Sequence, residues 1–379
     1  MELKFLLWPF LLILCATIVG QGSAQTIPHR DAPIWGETWP LEARHVPFDD
    51  KSATDPVIYH PLSHAEKPWQ ICVLYPHLKD AYWLSVNYGM VQEARRLGVG
   101  FVLHEAGGYP NLDRQIDQAR LCRQSGADAL IVGTVTLEGL SAEISQIAAR
   151  MPVIAAVNDI SDVGISAKSS VAWYDMGAAA GRVIAARHPK GSPPVRLAWF
   201  PGPVGGGWVG FVQAGFRDAL AQSSAQIVMT KFGDTGREEQ VLLVEEALDE
   251  MPDLDYLVGS GPMAEAAVSI LRGRGLDSRT HIVSTYMTHA VYRGIKRGKI
   301  LAAPTDFPIY QGRLAVELAV RAIEGRLTLR HAGPRIVTIT QENIGQFGAE
   351  GSLAPASFSA VFEVKERLIN DFGCAGSAT

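Results

Sequence analysis

Charge is scarce in this chain, at 19% of 379 residues, and no block of basic side chains stands out. The 34 Lys and Arg against 39 Asp and Glu leave a net charge of −5, which excludes a nucleic-acid footprint at the level of composition. Cysteine is scarcer still. Its four residues include no C-x-x-C pair, so neither a disulfide-built scaffold nor a zinc ribbon holds this fold. Also missing are the phosphate-cradling G-x-x-x-x-G-K-[ST] loop, the G-x-S-x-G nucleophile elbow and the H-E-x-x-H zinc helix, so three common enzyme classes lack their working residues. Long apolar runs are confined to the N-terminus, against a polytopic membrane protein. What is present is 47% hydrophobic residues, enough for a large buried core, over a length suited to two or three domains.

Residues 1–24 carry one early lysine, an apolar run from Phe5 to Val19 and the small residues Gly22-Ser23-Ala24. This is the pattern of a secretory signal cut after Ala24, and it places the mature chain in an oxidising compartment. A retained membrane anchor and a lipoprotein signal at Cys15 are the alternatives; the bulky Leu14 before Cys15 argues against lipidation. Removal of the signal leaves Cys72, Cys122 and Cys374, so at most one disulfide forms. Cys72 falls in an expected strand and Cys122 in a nearby helix, and a bridge and two buried thiols are both open readings.

From residue 69 onward, short apolar strands alternate with amphipathic helices. Strands are expected at 71–75, 99–105, 128–133, 152–158, 195–200, 226–230, 255–260, 281–285 and 300–304, most of them continuous apolar runs as buried parallel strands are. Helices are expected over 81–97, 111–125 and 175–187, the first two stopped at Gly98 and Gly126 and the third before Pro189. Such alternation gives an α/β protein with parallel sheets covered on both faces, and nine strands favour two Rossmann-like lobes over a single (β/α)8 barrel. Residues 25–68 are proline-rich and read as an N-terminal extension draped on the first lobe.

Gly205-Gly206-Gly207-Trp208-Val209-Gly210 fits the dinucleotide pattern G-x-G-x-x-G between a strand and a helix. The preceding Pro201-Gly202-Pro203 lengthens a turn that should be tight, and Trp208 crowds the helix start where pyrophosphate must sit, so a flexible loop is the better reading. His60 and His64 are spaced for a metal, but Pro61 lies between them and solvated loop histidines explain them. The acidic pairs Asp253 and Asp255, and Glu245 and Glu246, lie in turn or solvated-helix contexts. No metal, cofactor or catalytic group is expected.

In an open α/β sheet the ligand sits beyond the carboxyl ends of the strands. Those positions are rich in aromatics: Tyr82 and Trp83 after the first strand, Tyr109 after the second, Trp173 and Tyr174 after the fourth, and Tyr286 after the eighth. Aromatic faces attract quaternary ammonium groups, each desolvated contact contributing about 0.5–2 kcal/mol, so a methylated amine is a natural guest. A sugar would need more planar polar partners than these loops supply.

The stretch from Cys72 to Met90, Glu105-Ala-Gly-Gly-Tyr109, Pro201-Gly-Pro203, Ala264-Glu-Ala-Ala267 and Ser284 to Gly298 resemble the periplasmic trimethylamine N-oxide sensors of the type I periplasmic binding protein family. The resemblance spans about residues 68–345 and is densest in the first lobe. It implies two lobes joined by three crossovers, lobe 1 from 69–167 and 305–330, lobe 2 from 168–304 and 331–345, and a C-terminal tail over 346–379. It further implies a binding protein that performs no chemistry, takes trimethylamine N-oxide between its lobes and docks on the periplasmic domain of a sensor histidine kinase, its sole link to the membrane. Carried over by position, the ligand cage is Trp83, Tyr109, Trp173 and Tyr286, with Asp80 on its polar side. Ala167-Lys-Ser-Ser170 and Thr305-Asp306-Phe307-Pro308 depart from the family pattern. The other function class compatible with such a chain is a substrate-binding protein of an ABC transporter for a small sugar or a methylated amine.

Overall fold

A computed structural model describes residues 36–49 and 51–365. The signal segment with its cut after Ala24, Cys15 and Cys374 lie outside the described residues. The chain opens with an antiparallel hairpin, β1 (Trp39–Arg44) and β2 (Thr54–Tyr59). The first lobe continues through β3 (Gln70–Tyr75), α1 (Ala81–Leu97), β4 (Gly100–Glu105), α2 (Leu112–Gln124), β5 (Ala129–Val132), α3 (Ser141–Ala148), β6 (Val153–Ala156) and β7 (Ala167–Ser169). The second lobe comprises α4 (Trp173–Arg187), β8 (Val195–Phe200), α5 (Val209–Leu220), β9 (Ala225–Thr230), α6 (Arg237–Glu250), β10 (Tyr256–Gly259), α7 (Gly261–Gly273), β11 (His281–Ser284), α8 (His289–Lys296) and β12 (Ala302–Thr305). Helix α9 (Pro308–Ile323) and β13 (His331–Gly333) return to the first lobe, β14 (Val337–Thr340) to the second, and β15 (Glu363–Val364) to the first again.

Two separate sheets result, nine strands in the order β15-β4-β3-β5-β6-β7-β13-β1-β2 and six in the order β14-β12-β11-β10-β8-β9. That arrangement excludes the single closed barrel. The central pairings are parallel, and the antiparallel ones lie at or near the edges. Strands β5 and β6, with sequences ALIV and VIAA, are buried at every position, as two-sided coverage by helices demands. Helix α1 runs as its sequence dictates: Asp80 caps its start and Gly98, at φ 78°, closes its end by donating to the Ala94 carbonyl.

Strand pairing moves the expected boundaries. The chain passes between sheets four times, at 170–172, 306–307, 334–336 and 341–362; the first and third lie a few residues beyond the expected cuts at 167 and 330 because the three-residue strands β7 and β13 extend the first sheet, and the second lies beyond 304 because β12 runs to Thr305. The N-terminal extension does more than drape: β1 pairs with β13 and lengthens that sheet. Tyr59 and the Leu62 amide both donate to Glu317 on α9, which with Glu93, Arg96 and Arg313 forms a buried ionic network between α1 and α9. The expected tail is likewise built in, since β15 pairs with β4.

Cys72 and Cys122 are bonded, clamping β3 to α2 inside the first lobe across a sequence separation of 50. His104 stands beside them, but the bridge uses both sulfurs, so the only potential metal-ligand cluster among the described residues has no thiolate to offer. No helix among the described residues is long and apolar enough to cross a membrane. Closing a loop of that length restricts the unfolded chain, so replacing both cysteines by serine should lower stability by about 4 kcal/mol. Equilibrium urea unfolding of the oxidised parent beside C72S/C122S measures this, and equal midpoints would contradict it.

Candidate functional site

Where the two lobes face each other, Asp80, Tyr82, Trp83, Tyr109, Asn158, Trp173, Trp208, Thr235 and Tyr286 line one small, tightly closed cavity. The five residues singled out from the sequence, Asp80, Trp83, Tyr109, Trp173 and Tyr286, all line it. Their convergence follows from topology: each stands just beyond the carboxyl end of a parallel strand or at the first turn of the following helix. Trp173 opens α4, two residues earlier than the expected helix start, and its indole donates to the Val157 carbonyl at 2.9 Å. Val157 itself has φ 69°, a conformation that β-branched residues rarely adopt, and this turn aims its carbonyl at the ring. The outer edge of the Trp83 ring packs on Gly133 after β5, where a Cβ would sit 2.3 Å from the ring.

Asp80 is buried and uses both carboxylate oxygens as acceptors. Oδ1 takes the Tyr82 amide at 2.9 Å, capping α1, and Oδ2 takes the Tyr286 hydroxyl from the other lobe at 2.5 Å. Burial pushes its pKa up to about 6, while the Tyr286 and Tyr82 hydrogen bonds pull the other way. A group that only accepts is matched to the ionised form, so at neutral pH Asp80 sets a negative charge at the wall. A second buried carboxylate stands behind it: Tyr82 donates to Asp306 at 2.6 Å, and Gln311 donates to the same oxygen at 2.7 Å. Thr305-Asp306-Phe307-Pro308, one of the two segments departing from the family pattern, thus holds a wall residue from behind.

The sequence reading missed Asn158, Trp208 and Thr235. Asn158 Nδ2 donates to the Tyr109 hydroxyl at 2.9 Å, and Trp208 Nε1 donates to the same oxygen at 3.1 Å. The ring centroids of Trp208 and Trp173 lie 5.0 Å apart, so the tryptophan expected to crowd a helix start fills the cavity wall instead. Thr235 shares a 2.9 Å hydrogen bond with His77 across the seam, and burial lowers the His77 pKa to about 4, which keeps the ring neutral. His60 and His64 take no part: the His60 carbonyl accepts from Arg321 and His64 bonds its neighbour Ser63.

The seam is tight. A Cβ at Gly207, in the second lobe, would lie 2.0 Å from the Asp159 carbonyl oxygen of the first. Gly207→Ala should therefore hold the lobes apart without unfolding either. We expect its tryptophan emission to become more accessible to iodide quenching, with an unchanged circular-dichroism spectrum; a G207A protein as well shielded as the parent would contradict this.

With this geometry in view, comparison with known proteins gives three findings. Residues 68–346 match the family described as periplasmic binding proteins and sugar binding domain of the LacI family. Periplasmic protein TorT of Escherichia coli (strain K12) is 38% identical over 299 residues, covering 79% of this chain and 85% of that protein. Among solved structures, an ABC transporter solute-binding protein from Bradyrhizobium sp. BTAi1 with bound bis-tris is 45% identical, with a TM-score of 0.74 over 86% of this chain and 98% of that one. TorT in complex with the TorS sensor domain, solved without ligand and with TMAO, is 39% identical, with a TM-score of 0.70 over 78% of this chain and 99% of that one.

Proposed function

The chain belongs to the family of periplasmic binding proteins and the sugar binding domain of the LacI family, and from that premise we propose that it is a periplasmic sensor. It closes its two lobes on trimethylamine N-oxide and passes the signal to the periplasmic domain of a TorS-like sensor histidine kinase in a two-component system. The observation that carries this reading is the composition of the cavity: six aromatic side chains, Tyr82, Trp83, Tyr109, Trp173, Trp208 and Tyr286, around one carboxylate. Three methyl groups on a formally cationic nitrogen suit ring faces, each contact adding about 0.5–2 kcal/mol when desolvated. Asp80, backed by Asp306, supplies the negative field on the nitrogen side. The oxide needs a donor, and the Tyr109 hydroxyl, which donates to no acceptor among the described residues, supports that role. The family to which the chain belongs is one of binding proteins.

Ligand binding between lobes becomes a signal through its preference for one arrangement of the lobes, since a ligand shifts an equilibrium only by its differential affinity. Contacts that cross the seam, Asp80 with Tyr286, His77 with Thr235 and Tyr109 with Trp208, are the interactions that closure makes. A second reading, a substrate-binding protein of an ABC transporter, draws support from the 45% identical solute-binding protein that holds an amine buffer. The two readings part at the partner.

Calorimetric titration of the mature chain, residues 25–379, should show binding of trimethylamine N-oxide and none of ribose, with Trp83→Ala and Trp173→Ala each weakening it by roughly tenfold, about 1.4 kcal/mol. Co-elution with the kinase's periplasmic domain supports the sensor; binding of the N-oxide with no such association favours the transporter reading, and ribose binding contradicts the cage. pH adds a second test. A cationic nitrogen beside Asp80 favours its ionised form, so binding releases a proton around pH 6 and affinity falls as the pH drops below that value. Asp80→Asn should remove this fall, and a parent profile that matches the variant's from pH 7.5 to 5 would contradict the assignment.

A further inference from the structure

The Tyr109 hydroxyl accepts twice and donates to no acceptor among the described residues. Asn158 Nδ2 and Trp208 Nε1 engage its oxygen at 2.9 and 3.1 Å, while the Trp83 indole lies nearby without the geometry of a hydrogen bond to it. A phenol oxygen has two lone pairs and one proton, so with its lone pairs engaged only the proton remains to meet a ligand.

The two close donors come from different lobes. Asn158 follows β6 in the first lobe, and its amide nitrogen also donates to the Thr134 carbonyl at 2.8 Å, so its orientation is fixed within that lobe. Trp208 stands immediately before α5 in the second lobe, 2% exposed, packed between Trp173 and Tyr286. Its bond to Tyr109 therefore exists only when the lobes are closed. In an open molecule one lone pair of Tyr109 is free, and the hydroxyl can turn to accept from a ligand as readily as donate to one. The glycine run Gly205-Gly206-Gly207 acquires a purpose here, since it carries the loop close enough to the Asp159 carbonyl for Trp208 to reach the cavity.

We propose that Trp208 is the residue that makes the site select for a hydrogen-bond acceptor: as the lobes close, its indole N–H fills the last lone pair of the Tyr109 hydroxyl and commits that hydroxyl to donate. This rests on the reading of the cavity as a trimethylamine N-oxide site and says how that site refuses a ligand with the same methyl groups but no oxide. Trp208 is a positioning residue for that hydroxyl, and its ring also walls the cavity. A donor onto the tyrosine oxygen polarises the outgoing O–H, so the bond to the oxide strengthens as closure completes. A ligand with a methyl group in place of the oxygen leaves the O–H buried and unpaired, a penalty of roughly ten- to a hundredfold in affinity.

The probes are trimethylamine N-oxide and tetramethylammonium, which differ by oxygen against methyl, titrated into the mature parent, Trp208→Phe, Tyr109→Phe and the double variant. Tetramethylammonium is measured by competition where direct heats are small. Trp208→Phe keeps an aromatic ring and loses the N–H. It should weaken the N-oxide by roughly tenfold while changing tetramethylammonium by less than about twofold, and it should have no further effect once Tyr109 is Phe. Trp208→Leu, which also lacks the N–H, replaces it should the Phe variant fail to fold. Equal weakening of both ligands by the Phe variant, or an N-oxide preference that it leaves unchanged, overturns the inference and leaves the sensor reading standing. A parent protein that binds neither ligand overturns both.

Discussion

One buried carboxylate organises this molecule. Asp80 caps α1 with one oxygen and receives the Tyr286 hydroxyl of the opposite lobe with the other. The first bond fixes the carboxylate on a rigid element, so its place does not depend on closure. The second is made only across the seam, so closure completes the carboxylate's hydrogen bonding. Burying a charge is costly unless donors meet it, and here the donors are a helix terminus and a phenol. The negative wall of the cavity and one of the hydrogen bonds that join the two lobes therefore stem from one side chain and its two partners.

The remaining walls are rings whose polar tips are each turned to a purpose. Trp173 points its indole N–H at a strained Val157 carbonyl, Tyr82 its hydroxyl at Asp306, and Tyr286 its hydroxyl at Asp80. With these tips satisfied, their faces and edges present an apolar lining. Two of the three non-glycine residues with positive φ among the described residues, Val157 and Phe307 at 69° and 51°, follow strands whose ends support the cavity. Such outliers persist only where surrounding structure over-determines them. Their backbone turns aim Val157 at Trp173 and put Asp306 under Tyr82.

Much of this was legible in the sequence. All nine expected strands exist, because buried parallel strands are uninterrupted apolar runs with glycine or proline at their ends. The five strand-end residues share one cavity because parallel topology brings the carboxyl ends of successive strands to one rim. The hairpin of β1 and β2 escaped notice behind Pro40 and Pro56, although Trp39, Leu41 and Ala43 keep a two-residue period along β1. Strands β7, β13 and β15 have three, three and two residues, too few to show any period, and their omission displaced the expected boundaries. Trp208, Asn158 and Thr235 were missed for a different reason. Each acquires its role from a partner distant in the chain, Tyr109 or His77, and single polar or aromatic residues in loops carry no local mark of such pairing.

The central claim is that recognition and closure are one event, held by the bond between Asp80 and Tyr286. Small-angle X-ray scattering of the mature chain tests it directly, comparing the parent with Tyr286→Phe, each alone and with saturating trimethylamine N-oxide. The account predicts that the ligand makes the parent more compact and that Tyr286→Phe, which keeps the ring but has no hydroxyl to offer Asp80, compacts less or needs far more ligand to do so. Equal compaction of both proteins at the same ligand concentration, or no change in the parent, would contradict it.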